Sequence, residues 1–118
     1  MKIIDGIVVV YDHISIKEII SLSAQRFGDM VKGVVDIERA VLALGGELHA
    51  DEEQVLLDDG SASSNLWGFN IYHGLPRAQW LEFDSMINIR PSQGNRSRSV
   101  EAEETRRKIE AIVNRIIL

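Results

Sequence analysis

The chain contains no cysteine, and its longest early apolar run, Ile7 to Tyr11, is short. The absence of cysteine excludes disulfides, thiolate metal sites and cysteine nucleophiles. The apolar run is too short for a secretory signal or a membrane span. No linker, repeat or low-complexity tract divides the sequence. We therefore expect a single cytoplasmic domain, residues 1–118, with no membrane association.

An overall basic charge is missing as well. The net charge is -5, but it is unevenly distributed: residues 1–85 carry 6 basic and 14 acidic side chains, whereas residues 86–118 carry 7 basic and 4 acidic ones. A uniformly acidic protein is a poor candidate for binding nucleic acid through charge alone. A basic end on an acidic body instead suits a phosphate-bearing ligand, a short nucleic-acid segment or the acidic part of a second copy. The alternative to these partners is that the uneven charge belongs to a solvated surface that binds none of them.

The rest of the sequence alternates between helix and strand patterns. Ser15 and Glu18 form a capping box ahead of a helix from about Ile16 to Phe27. Residues 51–59 have the pattern of a short helix, and a third helix with one apolar stripe follows Ser99 as its N-cap. Strand patterns cover residues 2–11, 30–37, 40–48, 66–73 and 80–89. This order predicts an α+β fold: a mostly antiparallel sheet of about four to five strands with three helices, mainly on one face.

The last two strand patterns alternate apolar and polar side chains, which is typical of a sheet with one covered face and one open face. The apolar side chains Trp67, Phe69, Leu81 and Phe83 would then face the helices. The open face would carry the polar side chains Asn70, Tyr72, Glu82, Asp84, Asn88 and Arg90.

The densest group of polar side chains lies in residues 88–98, NIRPSQGNRSR. This segment offers many hydrogen-bond donors and no carboxylate, and it leads into a helix N-terminus, where free N–H groups and the helix dipole favour an anion. Gly94 allows a turn with positive φ that can direct N–H groups inward. We therefore predict a binding loop for a phosphate-bearing ligand, formed by Asn88, Arg90, Ser92, Gln93, Gly94, Asn95, Arg96 and Arg98. The alternative is that its three arginines only pair with Asp84, Asp36 or the acidic 51–59 segment.

No recognised catalytic or nucleotide-binding motif is present, and the sequence indicates no cofactor. A P-loop and the dinucleotide glycine pattern are both absent. Glu82 and Asp84 are candidates for paired catalytic carboxylates. Glu47, His49 and Asp51 could supply oxygen and imidazole ligands to a divalent metal, although their spacing is not that of a zinc protease. These residues support a second hypothesis, a metal-dependent hydrolase with its carboxylates on the open sheet face. The sequence leaves open whether the protein is an enzyme.

Three features favour a homodimer in which part of the 88–98 loop serves the partner subunit. The Ile7–Tyr11 run is apolar on both faces, so it would need a cover at a sheet edge. Ile116–Leu118 places apolar groups at a chain end, which usually frays. The basic C-terminal third could also meet the acidic 47–59 segment of a second copy across a twofold axis.

Four runs of residues resemble those of a family of small uncharacterised prokaryotic proteins. They are FGDMVK (27–32), GGELHADEE (45–53), LWG (66–68) and EFDSMINIRPSQGNRSR (82–98). The resemblance extends over nearly the whole chain from about Ile14, and it implies a compact, single-domain, cytoplasmic protein. It implies no activity, because the family has none assigned.

Overall fold

The computed structural model describes residues 1–118 and contains one six-stranded antiparallel sheet with three helices. The spatial order of the strands is β1-β2-β4-β3-β5-β6. The strands are β1 (Lys2–Ile4), β2 (Ile7–Val10), β3 (Val31–Asp36), β4 (Val41–Leu44), β5 (Leu66–Ile71) and β6 (Leu81–Glu82). The helices are α1 (Ile16–Gln25), α2 (His49–Asp58) and α3 (Glu103–Ile116). The predicted α+β class with an antiparallel sheet is therefore confirmed. None of the three helices is long and apolar enough to span a lipid bilayer.

Helices cover the sheet on both faces. Helices α1 and α3 pack on one face, where Ile19 and Ile109 join the larger apolar core. Helix α2 packs on the other face through Val55 and Leu56. It therefore covers part of the face that the alternation predicted to be open. Because the central strands are covered on both sides, β2 and β4 consist of buried residues only.

A hairpin turn divides the strand pattern at the N-terminus. Asp5 and Gly6 have φ values of 51° and 78° and reverse the chain between β1 and β2. Strand β2 is consequently an interior strand between β1 and β4, so the apolar run Ile7–Val10 is covered within its own chain. At the far end of α2, the Asp59 carboxylate holds the hairpin by accepting a hydrogen bond from Lys2 Nζ at 2.6 Å.

The C-terminal residues also pack on their own chain. Ile116 and Ile117 are buried, and only Leu118, which is 65% exposed, reaches solvent. Backbone hydrogen bonds of 2.9 Å join Ile14 N to Ile116 O and Leu118 N to Ile14 O. Two of the three features that favoured a homodimer are thus accounted for within one chain. The homodimer itself stays a prediction.

The local signals at the helix ends are partly confirmed. Ser15 Oγ caps α1 by accepting a hydrogen bond from Glu18 N at 3.1 Å. On α3, Arg107 pairs with Glu103 one turn away at 2.8 Å. The predicted N-cap of α3 is wrong, because the helix begins at Glu103 with Ala102 as its N-cap residue.

The strand predicted for residues 80–89 ends at Glu82, where the chain leaves the sheet and passes over β5. Gly68 makes this close crossing possible, because a Cβ atom there would lie 2.6 Å from Ser85 Oγ. The chain then forms a single 3₁₀ turn, Met86–Asn88, against β5. Asn88 and Arg90 therefore do not lie on an open sheet face, and the predicted alternation fails beyond Asp84.

Candidate functional site

One groove brings together polar side chains from several parts of the sequence. It lies between the start of α2 and the segment that follows β6, and its volume is about 490 Å³. This volume is within the ordinary range for small-molecule sites. Its polar lining residues are Lys32, His49, Asn70, Tyr72, Glu82, Asp84, Ser85 and Arg98, and its larger apolar ones are Met30, Leu48, Met86 and Ile87. The predicted open face thus persists as this groove, lined by Asn70, Tyr72, Glu82 and Asp84.

A row of three polar residues crosses the sheet at the groove. The strand register pairs Lys32 of β3 with Asn70 of β5, and Asn70 with Glu82 of β6. Asn70 Nδ2 donates a hydrogen bond to Glu82 Oε1 at 2.8 Å. The Tyr72 hydroxyl donates to the same oxygen at 3.3 Å. The Glu82 carboxylate is therefore oriented by two donors on one of its oxygens.

Asn70 also carries a buried atom that lacks a partner. The residue is 5% exposed, and its Oδ1 atom accepts no hydrogen bond. The amide orientation is set by the other atom, Nδ2, which must face the Glu82 carboxylate to donate. A buried polar atom left unpaired is rare in native proteins and costs about 1–3 kcal/mol. Asn70, which lines the groove, therefore carries a buried acceptor without a donor.

Helix α2 begins at the groove without a side-chain cap. Its N-cap residue is Leu48, which has no polar side chain, and the N–H groups of His49 and Ala50 donate to no protein atom. Free N–H groups at a helix start carry partial positive charge and favour anions. Lys32 lines the same groove. The start of α2 is therefore an electropositive part of the groove.

His49 anchors α2 to the sheet. Its Nε2 atom lies 2.8 Å from the Phe69 carbonyl oxygen, so Nε2 carries the hydrogen and donates it. Burial is the largest effect and lowers the pKa of His49. The Phe69 carbonyl, the Asn70 side chain and the Asp84 charge act in the opposite direction, and the Lys32 charge lowers the pKa further. His49 is therefore neutral at pH 7 and adds no charge to the groove.

The three predicted metal ligands do not come together. His49 hydrogen-bonds to β5, whereas Glu47 and Asp51 line a separate groove of about 410 Å³ near the N-terminal hairpin. No group of three or more His, Asp or Glu side chains in residues 1–118 is arranged to hold a metal ion. The metal site of the hydrolase hypothesis therefore stays a prediction; of its candidate residues, His49, Glu82 and Asp84 line one groove.

The 88–98 loop directs several of its donors at the protein itself. Asn95 is buried, and its Nδ2 atom donates to the carbonyl oxygens of Asn88, Ser97 and Ser99 at 2.7, 3.1 and 2.7 Å. Gln93 Nε2 donates to Ser64 O at 3.1 Å. These bonds fold the loop onto its own backbone and onto the turn before β5.

Two of the loop arginines form ion pairs within the chain. Arg90 pairs with Glu53 at 3.4 Å, and its guanidinium lies 5.0 Å from the centre of the Trp67 ring. Arg98 Nε pairs with Asp84 at 2.6 Å, but the Arg98 side chain is still 56% exposed. Both acidic partners are among those that the alternative named, Asp84 and the 51–59 segment. That the loop arginines do nothing else stays a prediction. Of the predicted loop residues, only Arg98 lines the groove; Ser92 and Arg96 are exposed to solvent.

The loop does hold an anion, namely the carboxylate of Glu101. Gly94 adopts the predicted positive φ, 79°, and the chain then turns two N–H groups inward. Glu101 Oε2 accepts hydrogen bonds from Arg96 N at 2.9 Å and Ser97 N at 2.8 Å. The Ser97 hydroxyl and these N–H groups lower the pKa of Glu101. The N–H groups predicted to bind phosphate are thus occupied by a residue of the chain.

Lys32 and Leu48 are groove residues that sequence reasoning missed. Lys32 stands alone between Val31 and Gly33 in a strand of buried residues, and such an isolated cation is the signal that could have indicated it. Leu48 could have been noticed as an apolar residue at a position where a capping side chain is usual. The register that brings Lys32 beside Asn70 has no counterpart in the linear sequence.

A further buried carboxyl group lies on α2, outside the groove. Glu52 is fully buried; its Oε2 atom accepts a hydrogen bond from Gly46 N at 3.0 Å, and its Oε1 atom has no partner. Burial raises the pKa of Glu52 well above its usual range. Burial therefore favours the protonated form of Glu52 over the charged form, compared with an exposed carboxyl group.

Comparison with known proteins places the chain in a family. No curated protein and no solved structure is significantly similar to it. The model of the family described as "Protein of unknown function (DUF5674)" matches residues 8–116, from β2 to the end of α3. Because this match covers almost the whole chain, the protein belongs to the DUF5674 family, a family of unknown function.

Proposed function

We propose that the protein binds a small molecule bearing a phosphate or carboxylate group in the groove at the start of α2. One observation carries this proposal: the uncapped N-terminus of α2 and Asn70, whose buried Oδ1 atom has no partner, line the same groove. A helix start favours an anion, and a buried acceptor needs a donor. A ligand with an anionic group and a hydroxyl or N–H group would satisfy both.

The anionic group would bind the free N–H groups of His49 and Ala50. Lys32, which lies close enough to α2 for its charge to act on His49, supplies a full positive charge. Arg98 contributes from the segment beyond β6, because only its Nε atom is taken by Asp84, and its two terminal nitrogens donate to no protein atom. Contacts of this kind contribute about 1–2 kcal/mol each. We therefore expect dissociation constants between about 1 µM and 1 mM for simple probes.

The sequence predicted the ligand in the 88–98 loop, whereas we now expect it in the groove. Asn88, Arg90 and Asn95 hydrogen-bond to the protein, and Glu101 already occupies the turned N–H groups of the loop. Arg98 is the one predicted loop residue that the groove retains. Arg96 and Arg98 therefore distinguish the two hypotheses, since a loop site needs both arginines and a groove site needs only Arg98.

An NMR titration of the ¹⁵N-labelled protein with propyl phosphate and with pentanoate tests the proposal. We expect the largest amide shifts at His49 and Ala50. Lys32→Gln and Arg98→Gln should each weaken binding about tenfold, the loss expected for one charge-assisted contact. Lys17→Gln is a matched charge control, because Lys17 is exposed on α1, a helix of the opposite sheet face.

Two results would contradict the proposal. One is the absence of any shift at His49 and Ala50 at millimolar concentrations of both probes. The other is an equal loss of binding in Arg96→Gln and Arg98→Gln, which would favour a site in the loop.

A nucleotide and a short RNA oligomer carry the same phosphate chemistry and are titrated as further probes.

A further inference from the structure

We infer that the ligand of this groove is amphoteric, carrying an amine as well as the phosphate or carboxylate group, joined by a short aliphatic chain. An aminoalkyl phosphate and an ω-amino acid have this chemistry. The inference rests on the proposed function, because it assigns the remaining part of the same groove. Three features of the groove support it.

The first feature is the oriented carboxylate of Glu82. Asn70 Nδ2 and the Tyr72 hydroxyl both donate to its Oε1 atom, and Oε2 accepts no hydrogen bond from the protein. Burial, followed by the charge of Glu82, raises the pKa of Tyr72, so its hydroxyl keeps the hydrogen that it donates. A carboxylate held at one oxygen presents the other in a fixed position. Such an oxygen is a good acceptor for an ammonium group.

The second feature is the arrangement of acceptors around Glu82. Asp84 lines the same groove, and only its Oδ1 atom is taken, by Arg98 Nε at 2.6 Å. The unpartnered Oδ1 atom of Asn70 belongs to the amide that holds Glu82. An ammonium group has three N–H donors. Glu82 and Asp84 thus each offer the groove one carboxylate oxygen without a donor, and the amide of Asn70 beside them carries a third, buried acceptor.

The third feature is the charge balance of the groove. Its lining contains two cations, Lys32 and Arg98, and two carboxylates, Glu82 and Asp84, while His49 is neutral. A ligand with only an anionic group would leave two carboxylates close to its charge. A ligand with both charges pairs each with its opposite, which is how a site rejects molecules that lack one group.

The apolar part of the groove lining indicates the short aliphatic chain that would join the two charged groups of the ligand. Leu48, at the start of α2, is 56% exposed, and Met86, beyond β6, is 65% exposed. Both line the groove, one beside the uncapped helix start and the other on the segment that carries Asp84. A short methylene chain between the two charged groups would contact these side chains and exclude water from them.

Calorimetric titration of the full chain with three matched probes tests the inference: 3-aminopropyl phosphate, propyl phosphate and propylamine. We expect 3-aminopropyl phosphate to bind at least tenfold more tightly than propyl phosphate, and propylamine to bind more weakly than both. In Glu82→Gln the ratio of the first two affinities should fall to near one. The exposed Glu110→Gln on α3 is the control and should keep the ratio of the wild type. The pair 5-aminopentanoate and pentanoate repeats the comparison with a carboxylate.

The outcomes separate the inference from the proposed function. Equal affinities for 3-aminopropyl phosphate and propyl phosphate, with shifts at His49 and Ala50, would overturn the amphoteric ligand and leave the anion site standing. No binding of either phosphate would overturn both. Propylamine binding as tightly as 3-aminopropyl phosphate would also overturn both, because the anionic group would then contribute nothing.

Discussion

The side chain of Asn88 forms two hydrogen bonds with the backbone of Gly68, in the manner of a neighbouring β-strand. Gly68 N donates to Asn88 Oδ1 at 2.8 Å, and Asn88 Nδ2 donates to Gly68 O at 2.9 Å. The Asn88 side chain thus takes the place that a longer β6 would occupy beside β5. Nδ2 also donates to Arg98 O at 3.0 Å, so the same side chain ties down the backbone of a groove residue.

Replacing Asn88 by alanine should destabilise the fold. Asn88 is fully buried, so the N–H and C=O groups of Gly68 would lose their partner away from water. We expect the free energy of unfolding to fall by about 3 kcal/mol, as measured by urea denaturation. Asn114→Ala, at an exposed position of α3, should change it by less than about 0.5 kcal/mol. A similar small change in Asn88→Ala would show that the pairing with Gly68 is not needed.

Gly68→Ala should be destabilising for a steric reason. The added Cβ would lie 2.6 Å from Ser85 Oγ and 2.7 Å from Ser85 Cβ, so the segment after β6 would have to move away from β5. We expect a loss of about 1–3 kcal/mol in the free energy of unfolding. Gly74→Ala is the control, because a Cβ at Gly74 meets nothing within 4 Å. Equal stability of the two variants would contradict the close crossing.

Glu52→Gln should change the dependence of stability on pH. The pKa of Glu52 is raised by burial from its ordinary value of 4.5, so the folded protein keeps a proton that the unfolded chain loses. In the wild type, stability should therefore fall as the pH rises from about 4.5 towards the folded-state pKa. The variant cannot ionise at this position, so this fall should be absent.

Urea denaturation at pH 4, 6 and 8 measures this difference. The wild type and Glu52→Gln should be closest in stability at pH 4, and the variant should be the more stable of the two at pH 8. Glu38→Gln, at an exposed position, should follow the pH dependence of the wild type. Parallel curves for the wild type and Glu52→Gln would mean that Glu52 has an ordinary pKa.

Glu101→Ala should open an anion site in the 88–98 loop. The N–H groups of Arg96 and Ser97 would lose the carboxylate that they bind, while Gly94 could still form the turn that directs them inward. We expect sulfate to shift the amide signals of Arg96 and Ser97 in this variant and not in the wild type, with chloride at equal ionic strength as reference. Glu104→Ala should behave like the wild type. Sulfate shifts at these amides in the wild type would mean that Glu101 does not block the loop.

The features that the sequence determined by itself depend on residues within one helical turn of each other or within one strand. The Ser15 cap on Glu18 N, the pair of Glu103 and Arg107 and the positive φ of Gly94 are all present in the structure, although the return bond from the Glu18 side chain to Ser15 N is not. Alternation along β5 and β6 was also sufficient to place Asn70 and Glu82 on the same face. These features were predictable because helix and strand geometry fixes which near neighbours meet.

Tertiary structure decided which partner each polar group meets. The donors of residues 88–98 are evident in the sequence, but their acceptors include Gly68 O and Glu53, which lie far from them along the chain. The end of β6 depends on Gly68 lying beneath Ser85, and the groove depends on the register that sets Lys32 beside Asn70. A linear sequence contains the hydrogen-bonding groups and charges, whereas the packing of the sheet and α2 determines which of them satisfy one another and which remain without a partner.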